Sequence, residues 1–121
     1  MERVIKSGTG WRLGWNPDAL TFKGLVGTED WAIELTEAEL NEFCRLLNQL
    51  TDTMKHLATE LMEEEQIACE AESDLLWMEV EGYPQSYNLR FILNTGRGTE
   101  GKWEASAVSG LLQAIGMLKV F

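Results

Sequence analysis

The sequence predicts an α+β fold in which strands and then a helix are built twice in tandem within one domain. Three observations predict it. Alternating apolar residues mark strands in two separate blocks, over residues 4–35 and 67–103. Each block runs into a segment whose apolar residues recur at spacings of three and four, which marks a helix. Finally, Trp31, Leu40 and Phe43 at the end of the first pass are answered by Trp103, Leu112 and Ile115, each 72 positions later. The halves divide at about residues 1–62 and 66–121, and no Pro/Ser-rich linker separates them.

In the first half, Val4 and Ile5 supply a short opening strand. Trp11, Leu13 and Trp15 share one face of the next, which stops at the turn signal Asn16-Pro17-Asp18. Leu20, Phe22 and Val26 predict a third strand, with Gly24 as a bulge or a point of close backbone approach. Trp31, Ile33 and Leu35 alternate in a fourth.

Thr36-Glu37-Ala38-Glu39 then spells a capping box. The Thr36 hydroxyl accepts from the Glu39 amide while the Glu39 side chain accepts from the Thr36 amide. Leu40, Phe43, Leu47, Leu50, Met54, Leu57 and Leu61 continue as a narrow apolar seam. They predict a helix of about 25 residues, roughly 38 Å long. Such a seam suits a helix lying across its own sheets, and a short partner-facing coiled coil is the alternative.

After the acidic run Glu63-Glu64-Glu65, the second half repeats the plan. Ile67, Cys69 and Ala71 alternate with Ala68, Glu70 and Glu72, giving a strand with one acidic face. Leu76, Met78 and Val80 form the next, bounded by Gly82-Tyr83-Pro84. Tyr87, Leu89, Phe91 and Leu93 form a third, ended by Asn94-Thr95-Gly96. Trp103 and Ala105 lead into a closing helix with Val108, Leu111, Leu112, Ile115 and Leu118 on its apolar face.

Charge is unevenly distributed. The chain of 121 residues carries a net −10, but residues 1–27 and 82–121 are each +2, so residues 28–81 hold −14. Strong nonspecific polyanion binding is disfavoured by that field, while a local basic surface drawn from both ends stays open. Two cysteines with no CxxC spacing, and no apolar run behind Met1, predict free thiols in a reducing, cytoplasmic setting with no membrane association.

The letters Gly96-Arg97-Gly98-Thr99-Glu100-Gly101 match a dinucleotide loop, but Lys102-Trp103-Glu104-Ala105 behind them reads as strand. A hairpin loop is expected, with Arg97 and Lys102 free to meet phosphates. Asp52, His56 and Glu60 lie four apart on one helix face, yet a structural zinc site wants four ligands rich in Cys and His. With a single histidine, neither Cys44 nor Cys69 has an evident activating base. No catalytic residue, metal ligand or cofactor is therefore expected, and the chain reads as a non-enzymatic binding or regulatory module.

Two partner classes fit. Single-stranded nucleic acid would stack on Trp11 and Trp15 and meet Arg12, Lys23, Arg90, Arg97 and Lys102 through its phosphates. Alternatively, the acidic middle and the exposed side of the long helix would meet a basic protein. The internal repeat can replace a dimer interface, so a monomer or a homodimer is expected.

Four segments carry a resemblance over nearly the whole chain: Gly10-Trp11-Arg12-Leu13-Gly14-Trp15-Asn16-Pro17, Trp31-Ala32-Ile33-Glu34-Leu35-Thr36, Leu61-Met62-Glu63-Glu64-Glu65 and Glu79-Val80-Glu81-Gly82-Tyr83-Pro84. They resemble a family of small uncharacterised cyanobacterial proteins, similar in fold to the Whirly-type single-stranded-DNA-binding transcriptional regulators. The resemblance implies a tandem of four strands plus a helix, with two antiparallel sheets packed face to face. It also implies single-strand binding through a lysine-rich strand. The nearest segment here, Lys23-Gly24-Leu25-Val26, keeps one of that strand's lysines.

Overall fold

In a computed structural model, which describes residues 3–60, 65–94 and 96–118, the chain forms eight strands and two helices. The first half holds β1 (Val4–Gly8), β2 (Trp11–Trp15), β3 (Gly24–Gly27), β4 (Ala32–Leu35) and α1 (Glu37–Ala58). The second holds β5 (Ile67–Glu72), β6 (Leu76–Tyr83), β7 (Ser86–Leu93), β8 (Glu100–Trp103) and α2 (Ala105–Met117). Each set of four strands is an antiparallel meander, β1-β2-β3-β4 and β5-β6-β7-β8. The fold is thus α+β with a repeated four-strand unit.

Helix α1 begins where the Thr36–Glu39 box predicts, whereas α2 begins at Ala105, which the sequence reads as strand. Thr36 Oγ1 accepts from the Glu39 amide at 3.1 Å, and Glu39 Oε1 accepts from the Thr36 amide at 2.8 Å. At the start of α2, Glu104 occupies the N-cap with no side-chain hydrogen bond. Its first turn is instead tied to the sheet, because Asn88 Oδ1 accepts from the Ala105 amide at 2.8 Å.

The structural repeat has a different spacing from the one the aromatic residues suggested. Ala32 and Glu100 open the last strands, and Thr36 and Glu104 cap the helices, each pair 68 positions apart. Leu35 and Trp103 are therefore equivalent, not Trp31 and Trp103, and Leu40 answers Val108. The 72-residue match arose because apolar residues recur every three to four positions on any buried helix face, so a slip of four preserves the pattern.

Three element boundaries also differ from expectation. Leu20 and Phe22 lie in the connection before β3, with Leu20 fully exposed. That loop closes on itself: the Asn16 amide donates to Lys23 O at 2.7 Å, and Asn16 Oδ1 accepts from the Asp18 amide. Trp31 precedes β4 rather than joining it, its carbonyl accepting from the Thr28 amide at 2.9 Å. The helix α1 spans 22 residues and buries Leu46, Cys44 and Thr51 beside Leu40, Phe43, Leu47, Leu50 and Met54. That stripe is wider than a coiled-coil seam and is filled by the protein itself. Leu61, Glu63, Glu64 and Thr95 lie outside the described residues.

Each helix packs mainly or substantially on the sheet of the other half. The helix α1 lies against β5 and β6, while α2 lies against β1 and β2 as well as β7. The core between them is one cluster drawn from both sheets and both helices. At its centre Trp103 is fully buried, with its Nε1 donating to Gly27 O at 2.8 Å across the halves. Its ring centroid lies 5.0 Å from that of Trp31, 5.6 Å from Phe43 and 5.6 Å from Phe91. Each such pair adds about 0.5–1.5 kcal/mol beyond area burial. The Trp31 ring rests on Gly101, where a Cβ would collide with it. Gly24 is likewise a point of close approach, lying beneath Leu40 of α1.

Candidate functional site

The seven residues that could have formed a nucleic-acid surface fall in four places. Trp11 and Trp15 face inward from β2. Trp15 is only 6 % exposed, and the Trp11 indole is wedged where a Cβ on either Gly8 or Gly110 would collide with it. Strand alternation explains this: the β2 face that carries Trp11, Leu13 and Trp15 is the one α2 covers. Neither ring is presented as an open stacking platform.

Arg12 lies on the opposite face of β2. Its Nε and Nη2 donate to the carbonyls of Thr28 and Trp31, the latter at 3.0 Å, so its guanidinium holds the β3–β4 turn. Lys23 stands 4.0 Å from Glu37 in the first turn of α1. Arg97 reaches from the β7–β8 connection to the same helix end. Its Nη1 donates to Glu39 Oε1 at 2.9 Å, its Nη2 donates to Glu34 O, and its guanidinium lies 4.6 Å from the Phe22 ring centroid. Arg97 is thus a clasp between halves, where a free phosphate-binding loop was expected. The acceptor Glu39 is only 2 % exposed and already closes the capping box.

Arg90 and Lys102 are cross-strand neighbours on the outer face of the second sheet. Arg90 is shared between Glu79 at 3.5 Å and Glu100 at 4.0 Å, and lies 4.9 Å over the Trp77 ring. Lys102 is exposed beside it.

That outer face has an order the sequence reading did not assemble. Pairing places Glu70, Glu79, Arg90 and Lys102 in one row across the four strands, with Glu72, Trp77, Ile92 and Glu100 in the next. Ala68, Glu81 and Asn88 form a third. The β5–β6 side is acidic and the β7–β8 side carries the two bases. Among the described residues, no ion pair reaches Glu70, Glu72 or Glu81. Trp77 and Ile92, directly opposite each other and half-buried, supply the apolar centre. The signal was present in the alternation of β6: if Leu76, Met78 and Val80 face the core, Trp77, Glu79 and Glu81 must face out.

Of the two thiols, Cys44 on α1 is buried and Cys69 on β5 is half-buried. Burial pushes the Cys44 thiol up to about 12, leaving it protonated. His56 is exposed, with Nδ1 2.8 Å from Asp52 O. Among the described residues, no group of three His, Cys, Asp or Glu is gathered to hold a metal ion.

A groove of about 490 Å³ runs between α1 and α2 and is closed at one end by the β6–β7 turn. The α1 wall carries Asn48, Thr51, Asp52 and Lys55, and the α2 wall carries Ser109, Leu112 and Gln113. Tyr87 at its end shares a side-chain hydrogen bond with Thr51, and burial raises its phenol above the ordinary value despite that bond. Leu112, expected in the core, is half-buried here because it forms this wall.

These features define a class: a doubled four-strand-and-helix α+β protein that presents a charged outer sheet face and a groove between its helices. No described helix is long and apolar enough to cross a membrane. The chain belongs to the family described as Domain of unknown function (DUF1818), matched over residues 6–118. It is also similar to the crystal structure of a protein of unknown function from the DUF155 family of Prochlorococcus sp. NATL2A. That likeness has a TM-score of 0.90 at 29% identity and covers 95% of this chain and 98% of that one. No curated protein matched.

Proposed function

We propose that this chain is a non-enzymatic interaction module that meets a basic protein segment through the outer face of its second sheet. One observation carries the reading: of the five cations expected to meet phosphates all but Lys102 are engaged within the chain, whereas Glu70, Glu72 and Glu81 on this face have no ion pair among the described residues. Arg12, Lys23, Arg90 and Arg97 are held by carbonyls or carboxylates. Glu70 stands directly opposite Glu79, a like-charge pairing that costs stability in the free protein and is relieved by a cationic partner. Trp77 beside them offers the kind of aromatic anchor that dominates interface energetics.

Nucleic-acid binding, by the resemblance in fold to the Whirly-type regulators, is the competing reading. The doubled plan is compatible with it, but Lys23 of the corresponding segment faces Glu37, and Gly24 is covered by Leu40. The non-enzymatic character is supported by the protonated, buried Cys44 and by the exposed, backbone-tied His56.

Tryptophan-fluorescence titration distinguishes the two. A Lys/Arg-rich synthetic peptide is expected to change the emission in a salt-sensitive way, and Trp77→Phe is expected to abolish that change. A single-stranded oligonucleotide is expected to leave the emission unchanged at physiological salt. The opposite pattern would replace this reading with nucleic-acid binding.

A further inference from the structure

The two halves differ most where α1 outlasts α2, 22 residues against 13. The C-terminal part of α1 has no counterpart in the repeat, and it builds one wall of the inter-helix groove. On that wall Asn48, the last-but-one position matched in α2, is followed by the unmatched Thr51, Asp52 and Lys55 at i+3, i+4 and i+7, a polar stripe alongside the buried one. Ser109 and Gln113, four apart on α2, face it across the groove. Two rigid helices thus present matched polar stripes to a shared cleft, and such elements place groups more precisely than loops do.

The chemistry of the walls selects an occupant. Asp52 and Lys55 stand three apart on one helix face, close enough to pair, yet no ion pair joins them among the described residues. One carboxylate and one ammonium are therefore both available at one end of the cleft. The rest of the lining is dominated by side-chain amides and hydroxyls with little net charge, Gln85 of the β6–β7 turn among them. A polyanion finds one cation there beside an acid, and an apolar ligand would leave these polar groups unpaired. A small molecule bearing both charges and a hydrogen-bonding side chain matches each group.

We propose that this groove binds a small zwitterion of the amino-acid class, its ammonium on Asp52 and its carboxylate on Lys55, with a polar side chain lying toward the amides. The site is separate from the outer sheet face, so it stands or falls independently of the interaction surface above. Nuclear magnetic resonance titration of the full chain with millimolar L-glutamine, with glucose as a neutral comparison, tests it. Glutamine is expected to shift the resonances of Thr51, Gln85, Tyr87 and Gln113, and glucose is expected to leave them in place. Asp52→Asn and Lys55→Gln change exposed side chains, so the variants keep the fold. Each is expected to weaken the shifts by roughly tenfold or more, the scale of a lost charge-assisted hydrogen bond. No shift with glutamine, an equal response to glucose, or shifts that persist in both variants would overturn the assignment.

Discussion

The two halves of this chain share a plan and divide the labour of holding it together. At equivalent last-strand positions the first half places Leu35 and the second places Trp103, and both are completely buried. Leu35 contributes apolar area alone, whereas Trp103 also binds Gly27 O and anchors an aromatic cluster that spans the halves. The helices differ in the same sense. One starts with a full capping box, and the other leans on Asn88 of its own sheet. Duplication supplies the architecture, and divergence at matched positions supplies the joint between the copies.

The largest break in that comparison is expected at its joint. Trp103→Ala should destabilise by about 3–5 kcal/mol, through the cavity and the orphaned Gly27 carbonyl. Chemical denaturation is the check. Leu35→Ala should cost about 2–5 kcal/mol, and it should leave the Trp31 fluorescence environment less disturbed than Trp103→Ala does.

Removing the clasp comes next. Arg97→Ala leaves the buried Glu39 carboxylate without its guanidinium, and a stability loss of about 1–3 kcal/mol is expected. This is below the figure for fully buried pairs because Arg97 is partly exposed. Loss of stability that vanishes in a Glu39→Gln background would show that the pair itself, rather than the Phe22 contact, carries the effect.

Helix capping sharpens the comparison further. Thr36→Ala should cost about 1 kcal/mol, whereas Glu104→Ser should add up to about 1 kcal/mol by giving α2 the side-chain cap it lacks. Thermal melts of both variants would show equal and opposite shifts if the two caps are equivalent.

The smallest effect concerns acid. Arg45 and Ser73 hydrogen-bond Glu42 and hold its carboxyl down from 4.5 to about 2. A carboxylate whose value is depressed on folding stabilises the protein above its unfolded value and loses that contribution as pH falls through the folded one. The wild type should therefore lose a small advantage over Glu42→Gln between pH 4.5 and about 2, screened because the pair is largely solvated.

Much of the fold was legible before any coordinates. Alternation located the strands, the Thr36–Glu39 box located the start of α1, and Asn16-Pro17-Asp18 located a turn, because each is encoded within a few residues. Leu20, Phe22 and Trp31 were misplaced because an apolar residue in a loop looks like one in a strand until pairing is known. The candidate surface was less legible. Arg12 and Arg97 read as free cations in a linear sequence, yet their partners lie 16 to 63 residues away.

The sequence by itself determined the local elements and the doubling, since hydrophobic period and cap chemistry act over neighbouring residues. Only the tertiary structure decided that each helix packs on the other half's sheet and that the repeat spacing is 68. It also decided that Trp77 sits among acids and that a polar groove opens beside the longer helix. These outcomes depend on which distant faces bury one another, and a periodic pattern says that a face is apolar without saying what will cover it.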